Sequence, residues 1–326
     1  MGQNLFYFFA RKNYRIHWIM RSNVEKQQKK YERKIKRDFK NELISSGDLS
    51  FKQKYHQIGN NLSGARQADL FIECIREELD AKRDLAKEIF AIKKAEALMA
   101  TNSSSFLPDM LSDNEEVCKQ IYGLHFFFPV EAKSIVELVR NEHSEKKDLD
   151  TLIEFLRENQ RKVLVQSKED ALLLNRLMLH FQAGVFKSAE EQGMSLHEID
   201  SAVKKHLMPM GVFEMMDFVG LDLIAQSAKT YLKDEKNQRH YSALLEAMQN
   251  LIAQGKNGQK SGGGFFAYPF EMLDLKSETE EKALALVQEA FATAFQWAGQ
   301  KTRISKADLR FAMEEYLDTN LDNWNL

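Results

Sequence analysis

His125 stands at the polar end of an apolar run, Gly123-Leu124-His125-Phe126-Phe127-Phe128-Pro129, and Glu137 follows twelve residues later within Ser134-Ile135-Val136-Glu137-Leu138-Val139-Arg140. Both runs are short and rich in strand-forming residues, which reads as two neighbouring strands. A histidine with a carboxylate in reach of its second ring nitrogen is what general-base chemistry near neutral pH requires. A structural histidine beside a core strand has the same local pattern, so these residues alone leave both readings open.

The elements that must position this pair divide the chain by character. Leu5, Phe8 and Phe9 lie at helical spacing within residues 3–12, a strand is expected over 14–20, and residues 23–44 form a highly charged helix. Residues 68–75, 97–102, 121–128 and 134–140 read as further strands, with a helix over 78–92. Strands alternating with helices predict an α/β domain with a mainly parallel sheet. From about Asp170 the pattern is helical, over 172–192, 195–205, 212–233 and 241–254. Gly258-Gln259-Lys260-Ser261-Gly262-Gly263-Gly264 is a glycine-rich turn, either a phosphate cradle or a plain turn. A charged linker near 276–282 precedes two amphipathic helices over 283–318.

The 326 residues suffice for two domains, and 46 basic against 48 acidic residues create no global field that points to nucleic acid or an anionic membrane. Cys74 and Cys118 lie far apart in apolar or helical contexts, giving neither a disulfide framework nor metal-ligand spacing. No apolar run reaches the length of a membrane span, and the apolar start lacks a preceding basic region. A protein of a reducing cytoplasm is expected.

Five blocks in order carry a family resemblance: Ala100-Thr101-Asn102-Ser103-Ser104-Ser105, Gly123 to Phe127, Ile135 to Arg140, Asn175-Arg176-Leu177, and the stretch from Pro209-Met210-Gly211 to Gly220-Leu221-Asp222. Over about residues 1–268 the chain resembles the 3-hydroxyacyl-CoA dehydrogenases, including the dehydrogenase part of the multifunctional fatty-acid oxidation proteins. The resemblance implies hydride transfer between C3 of a 3-hydroxyacyl-CoA and NAD or NADP. In that reading His125 takes the hydroxyl proton, Glu137 orients the imidazole and stabilises its charged form, and Ser104 and Asn175 contact the substrate oxygens. Gly2, Arg21, Glu77, Lys82, Ser104 and Lys260 fall at family positions that touch the cofactor. The basic helix bearing Lys26, Lys29, Lys30, Arg33, Lys34, Lys36 and Arg37 sits where the family meets the phosphate-bearing end of CoA. Set beside this, Ser104 also suits a turn, Asn175 a capping or core-bonded amide, and the charged residues a solvated helix surface. No metal is implied.

The chain departs from the pattern in four places. Met1-Gly2 aligns with the last residues of the G-x-G-x-x-G fingerprint, so the expected fold is a Rossmann-type α/β domain lacking its first strand; a natural start upstream is the simplest account, and a segment elsewhere that fills the gap or a decayed paralogue are the others. Met20-Arg21-Ser22 offers no carboxylate to a ribose, and an arginine there suits a 2′-phosphate. Phe128 replaces an asparagine on the nicotinamide side, and residues 168–172 lack the family's Asp-x-Pro-Gly-Phe entry into the helical domain. The expected organisation is therefore a nucleotide domain over 1–168, an all-α domain over 169–275, and a helical tail over 276–326 that resembles a partial second copy of the helical domain, with the site in the cleft. The expected function is a 3-hydroxyacyl-CoA dehydrogenase of fatty-acid beta-oxidation working on acyl-CoA, as a homodimer or within an oxidation complex. The rival readings are a catalytically silent relative that binds acyl-CoA or a partner protein, and a dehydrogenase of small hydroxy acids.

Overall fold

The computed structural model describes residues 1–233 and 235–324. Two compact units emerge: Met1–Ser103 with Leu107–Val165, and Ser104–Phe106 with Gln166–Leu326. The first unit runs α1 (Gly2–Phe9), β1 (Ile16–Ile19), α2 (Val24–Lys40), α3 (Ser46–Tyr55), β2 (His56–Gly59), β3 (Leu70–Glu73), α4 (Leu79–Ile92), β4 (Leu98–Thr101), α5 (Glu115–Cys118), β5 (Ile121–Phe126), β6 (Ile135–Val139), α6 (Lys146–Glu158) and β7 (Lys162–Gln166). Strands β3, β4 and β5 are parallel neighbours, β6 pairs antiparallel with β5, and β7 follows β6. Strands β1 and β2 pair in parallel as a separate two-stranded sheet. Among the described residues no strand of one sheet pairs with a strand of the other.

Helix α1 holds the two pieces to one core because it is apolar on two faces. Leu5, Phe8 and Phe9 pack with Leu124, Phe126, Val136 and Leu138 of the larger sheet and with Leu152 and Leu156 of α6. Phe6 and Ala10, offset by one residue, pack with Tyr31 and Ile35 of α2 and with Trp18 and Ile58 of the smaller sheet. Residues four apart share a helix face, so the run Leu5-Phe6-Tyr7-Phe8-Phe9-Ala10 serves both clusters. Strands β4 and β5 are buried along their whole length, the signature of parallel strands covered on both faces.

The second unit is helical: α7 (Leu173–Gln192), α8 (Leu196–His206), α9 (Val212–Val219), α10 (Leu221–Tyr231), α11 (Ser242–Ala253), α12 (Ser277–Lys301) and α13 (Lys306–Leu317). The single helix expected over 212–233 is two, broken at Gly220, whose φ of +105° lies in a region that side chains disfavour. The expected linker at 276–282 is instead the first turns of α12. Glu278 and Glu280 favour that amino terminus, and Glu278 pairs with Lys282 one turn on. Further along α12, Ala283, Leu286, Val287, Ala290, Phe291, Ala294, Phe295 and Ala298 form one buried stripe against α7 and α8. Gly184 of α7 lies against Ala290, the Phe181 and Phe291 rings meet edge-on at 5.2 Å, and Trp324 closes over Phe291 at 4.7 Å.

Two buried histidines are held neutral. His180 is stacked on His240 at 4.0 Å and on Trp297 at 4.6 Å, with Nδ1 2.8 Å from the Tyr241 hydroxyl. His56 meets the Tyr31 hydroxyl and, at 3.0 Å, the Tyr14 carbonyl. Burial pushes both imidazoles down to about 4. The unfolded chain takes up a proton at each near pH 6.5 and the folded chain resists it. Their contribution to stability is therefore complete above about pH 6.5 and is lost as the pH falls toward 4, about 2 kcal/mol per histidine by pH 5. Thermal melts at pH 7.5 and pH 5 should show this loss, and His180→Phe should shrink it by roughly half; an identical pH slope in wild type and variant would assign the loss to other groups.

Candidate active site

The register of β5 and β6 sets His125 directly opposite Glu137. His125 Nδ1 lies 2.7 Å from Glu137 Oε2, and the carboxylate is wholly buried. A carboxylate accepts, so Nδ1 is the donor, which in the neutral ring leaves the lone pair on Nε2. Nε2 makes no hydrogen bond to any described residue. The Phe127 ring meets the imidazole edge-on at 4.5 Å. Gly123 lets the strands approach, since a Cβ there would lie 2.9 Å from the Val139 Cβ. Asn102, after β4, accepts a bond from the Phe126 backbone N–H at 3.0 Å and fixes the end of β5.

Beside this, at the ends of β3 and β4, a second buried network surrounds Lys82. Its ammonium lies 2.8 and 3.0 Å from the two Glu73 oxygens and 3.2 Å from Glu77. Thr101 donates to Glu73 at 2.7 Å, and the Ser103 hydroxyl donates to Glu77. Lys82 is 1% exposed, so it is not a solvated surface charge; Glu77 keeps partial exposure.

In the helical unit Asn175, on the first turn of α7, donates from Nδ2 to the Tyr231 hydroxyl at 3.2 Å, and that hydroxyl donates to the Ser104 carbonyl. The glycine-rich turn is a cradle that is already filled, by a side chain. Asp217 accepts from the backbone N–H groups of Phe265 and Phe266 at 2.9 and 3.0 Å and from the Tyr268 hydroxyl at 2.9 Å. A Cβ on Gly264 would lie 1.9 Å from Asp217 Oδ1, and one on Gly258 would lie 2.2 Å from the Asp217 carbonyl oxygen. Of the two readings of this turn, these contacts favour the plain turn. Lys260 projects from it to Asp222, with contacts of 2.6 and 2.7 Å. Asp200 likewise receives the Phe213 and Glu214 N–H groups at the start of α9, and burial raises its carboxyl to about 7 against the pull of those bonds. Gly211 leaves the room this needs, a Cβ there falling 2.4 Å from Asp200.

Comparison with known proteins gives this arrangement its context. Residues 1–170 match the family described as 3-hydroxyacyl-CoA dehydrogenase, NAD binding domain, and residues 173–268 match its C-terminal domain. The chain belongs to the 3-hydroxyacyl-CoA dehydrogenase family. A probable 3-hydroxyacyl-CoA dehydrogenase of Caenorhabditis elegans is 31% identical over 64% of this chain and 70% of its own length. The fatty acid oxidation complex subunit alpha of Vibrio parahaemolyticus is 27% identical over 70% of this chain, which spans only 32% of that longer protein. Among solved structures, 3-hydroxybutyryl-CoA dehydrogenase from Escherichia coli superimposes with a TM-score of 0.72 at 21% identity, covering 84% of this chain and 59% of that one. The fold is the family's: a Rossmann-like NAD-binding domain followed by an all-helical one. The family is one of NAD-dependent oxidoreductases, and its cofactor is NAD(H).

The residues present fit a dinucleotide. Helix α1 has no acidic residue in its first turn and no side-chain cap, which leaves its amino-terminal N–H groups to a phosphate, and Gly2 lies against Trp18 and Cys74 at the ends of β1 and β3. Arg21 is exposed just after β1. Among the described residues no group of three or more His, Cys, Asp or Glu is placed to hold a metal, and no helix is long and apolar enough to cross a membrane.

The roles of Asp217 and Tyr231 were missed by sequence reasoning. Asp217 lies inside a quoted block, and its spacing to the glycine-rich turn was the available signal; Tyr231 gave none. Removing a buried charge's partner is costly, so Lys82→Met should destabilise the protein by about 3–5 kcal/mol, and adding Glu73→Gln should recover much of it. Denaturant melts of the two variants check this; no recovery in the double variant would contradict the pairing.

Proposed function

We propose that the chain is a 3-hydroxyacyl-CoA dehydrogenase of fatty-acid beta-oxidation, with His125 as general base and Glu137 as its orienting acid. The observation that carries this is the His125–Glu137 pair, which holds one imidazole nitrogen and leaves the other uncommitted. Nε2 takes the proton of the substrate's 3-hydroxyl, and the buried Glu137 carboxylate stabilises the imidazolium that results. Bound NAD supplies the hydride acceptor for C3. Ser104 and Asn175 contribute hydrogen bonds to the substrate oxygens, where they hold the reacting carbon and stabilise charge developing on oxygen. Glu77, Lys82, Arg21, Gly2 and Lys260 serve the cofactor in this reading, Lys82 by fixing Glu77.

The substrate's CoA end has a matching surface. A groove of about 1110 Å³ runs beside α2 and is lined by Lys26, Lys29, Lys30, Arg33, Lys34 and Arg37, against which only Glu25, Asp38 and Glu131 bring negative charge. Such a surplus favours phosphates. The free cysteines Cys74 and Cys118 suit a reducing, cytoplasmic setting, and assembly with other beta-oxidation enzymes is part of the proposal.

Purified protein should oxidise NADH, in preference to NADPH, with acetoacetyl-CoA. His125→Ala should lower kcat by roughly 10²–10⁴-fold, and Glu137→Gln should lower it less. Acetoacetyl-CoA bound without turnover would make the chain a silent relative, and turnover indifferent to the CoA portion would point to a small hydroxy acid. A Lys30→Glu, Arg33→Glu variant should raise KM for acetoacetyl-CoA while leaving acetoacetyl-pantetheine, which lacks the phosphates, unaffected; equal effects on both would remove the groove from the proposal.

A further inference from the structure

Helix α10 contains two side chains that the chemistry above does not use, and both reach the segment bearing Ser104. Tyr231 donates its hydroxyl proton to the Ser104 carbonyl and accepts from Asn175 Nδ2 at 3.2 Å. Four residues earlier, and so on the same helix face, Ser227 Oγ lies 2.8 Å from Ser105 Oγ, and both serines are buried. These ties are why residues 104–106 belong to the helical unit although β4 ends at Thr101. The Ser104 hydroxyl and the Asn175 carbonyl oxygen make no hydrogen bond to a described residue, so the two proposed substrate contacts are free while their supports are engaged.

We propose that Tyr231 is a positioning residue for the dehydrogenase reaction, setting Ser104 and Asn175 at a fixed separation through its single hydroxyl, with the Ser105–Ser227 bond as a second anchor. The inference rests on the function proposed above. One hydroxyl serves as donor to one group and acceptor from the other, so its loss frees the Asn175 amide to rotate and releases the Ser104 backbone together. Neither effect touches the base. Misplacement of this kind lowers the rate because the bound substrate no longer spends its time in reactive geometry.

The test compares wild type, Tyr231→Phe, Ser227→Ala, Asn175→Ala and the Tyr231→Phe, Asn175→Ala double variant, each assayed for acetoacetyl-CoA reduction and for acetoacetyl-CoA binding by calorimetry. Tyr231→Phe should lower kcat by about 10-fold, with KM for NADH and the pH profile of the base unchanged, and should cost less than that in the Asn175→Ala background, where only the hold on Ser104 remains to be lost. Wild-type kcat in Tyr231→Phe, or a full multiplicative loss in the double variant, would overturn the inference while leaving the dehydrogenase standing. A wild-type chain that neither reduces nor binds acetoacetyl-CoA would overturn the proposed function itself. Should Tyr231→Phe fail to fold, Ser227→Ala decides: a smaller fall in kcat with the NADH KM unchanged supports the anchor, and unchanged kcat removes it.

Discussion

A carboxylate with no access to water must have a partner, and Glu137 has His125. That requirement constrains the sheet around it. The two residues face each other only in one register of β5 on β6, and a slip of one residue would leave them on opposite faces of the sheet. Gly123 opposite Val139 and Asn102 on the Phe126 amide hold that register from either side of the histidine. Helices α1 and α6 cover the other face of the same strands, where Leu124, Phe126, Val136 and Leu138 alternate with the pair.

The same physical device recurs with different outcomes. Glu73, Asp200 and Asp217 are also buried carboxylates, and each is satisfied by donors that keep their protons: an ammonium and a threonine hydroxyl, two helix-start amides, and two amides with a tyrosine hydroxyl. Burial raises the Asp200 and Asp217 carboxyls while the backbone bonds pull them back down. These three therefore organise backbone, at the carboxyl ends of strands, at the start of α9 and in the glycine-rich turn. Of these four, Glu137 is the one bonded to an imidazole, whose other nitrogen makes no hydrogen bond to a described residue. In the proposed mechanism, what sets Glu137 apart from the three structural carboxylates is its partner.

Much of this was legible in the sequence because its signal was local. Apolar runs bounded by polar residues located β3 to β6, and the histidine and glutamate were found because each sits inside such a run. Helices such as α7 and α8 showed through periodicity. What escaped depended on contacts distant in sequence. Asp217 meets Phe265 and Phe266, 48 and 49 residues away. Tyr231 meets Ser104 across 127 residues, and Lys82 acquires its burial from strands β3 and β4 rather than from its own helix. The start of α12 was hidden for the opposite reason: its first turns are charged and exposed, so no apolar stripe announced them.

The chain passes from one compact unit to the other in very few residues after β4. Thr101 and Ser103 are bound to the Glu73–Lys82–Glu77 network, whereas Ser104 and Ser105 are bound to α10. Successive residues thus answer to different frameworks, each of them rigid: a buried ion cluster on one side and two hydroxyl bonds from a single helix face on the other. A turn held this way has little freedom of its own, which is the condition for a serine hydroxyl to meet a substrate oxygen without an ordering cost at each turnover. Burial of the groups in these anchors matters as much as their number, because a hydrogen bond shielded from water loses its competitor. On this argument the serine cluster that reads as a flexible turn in the sequence is among the more constrained backbone segments of the molecule.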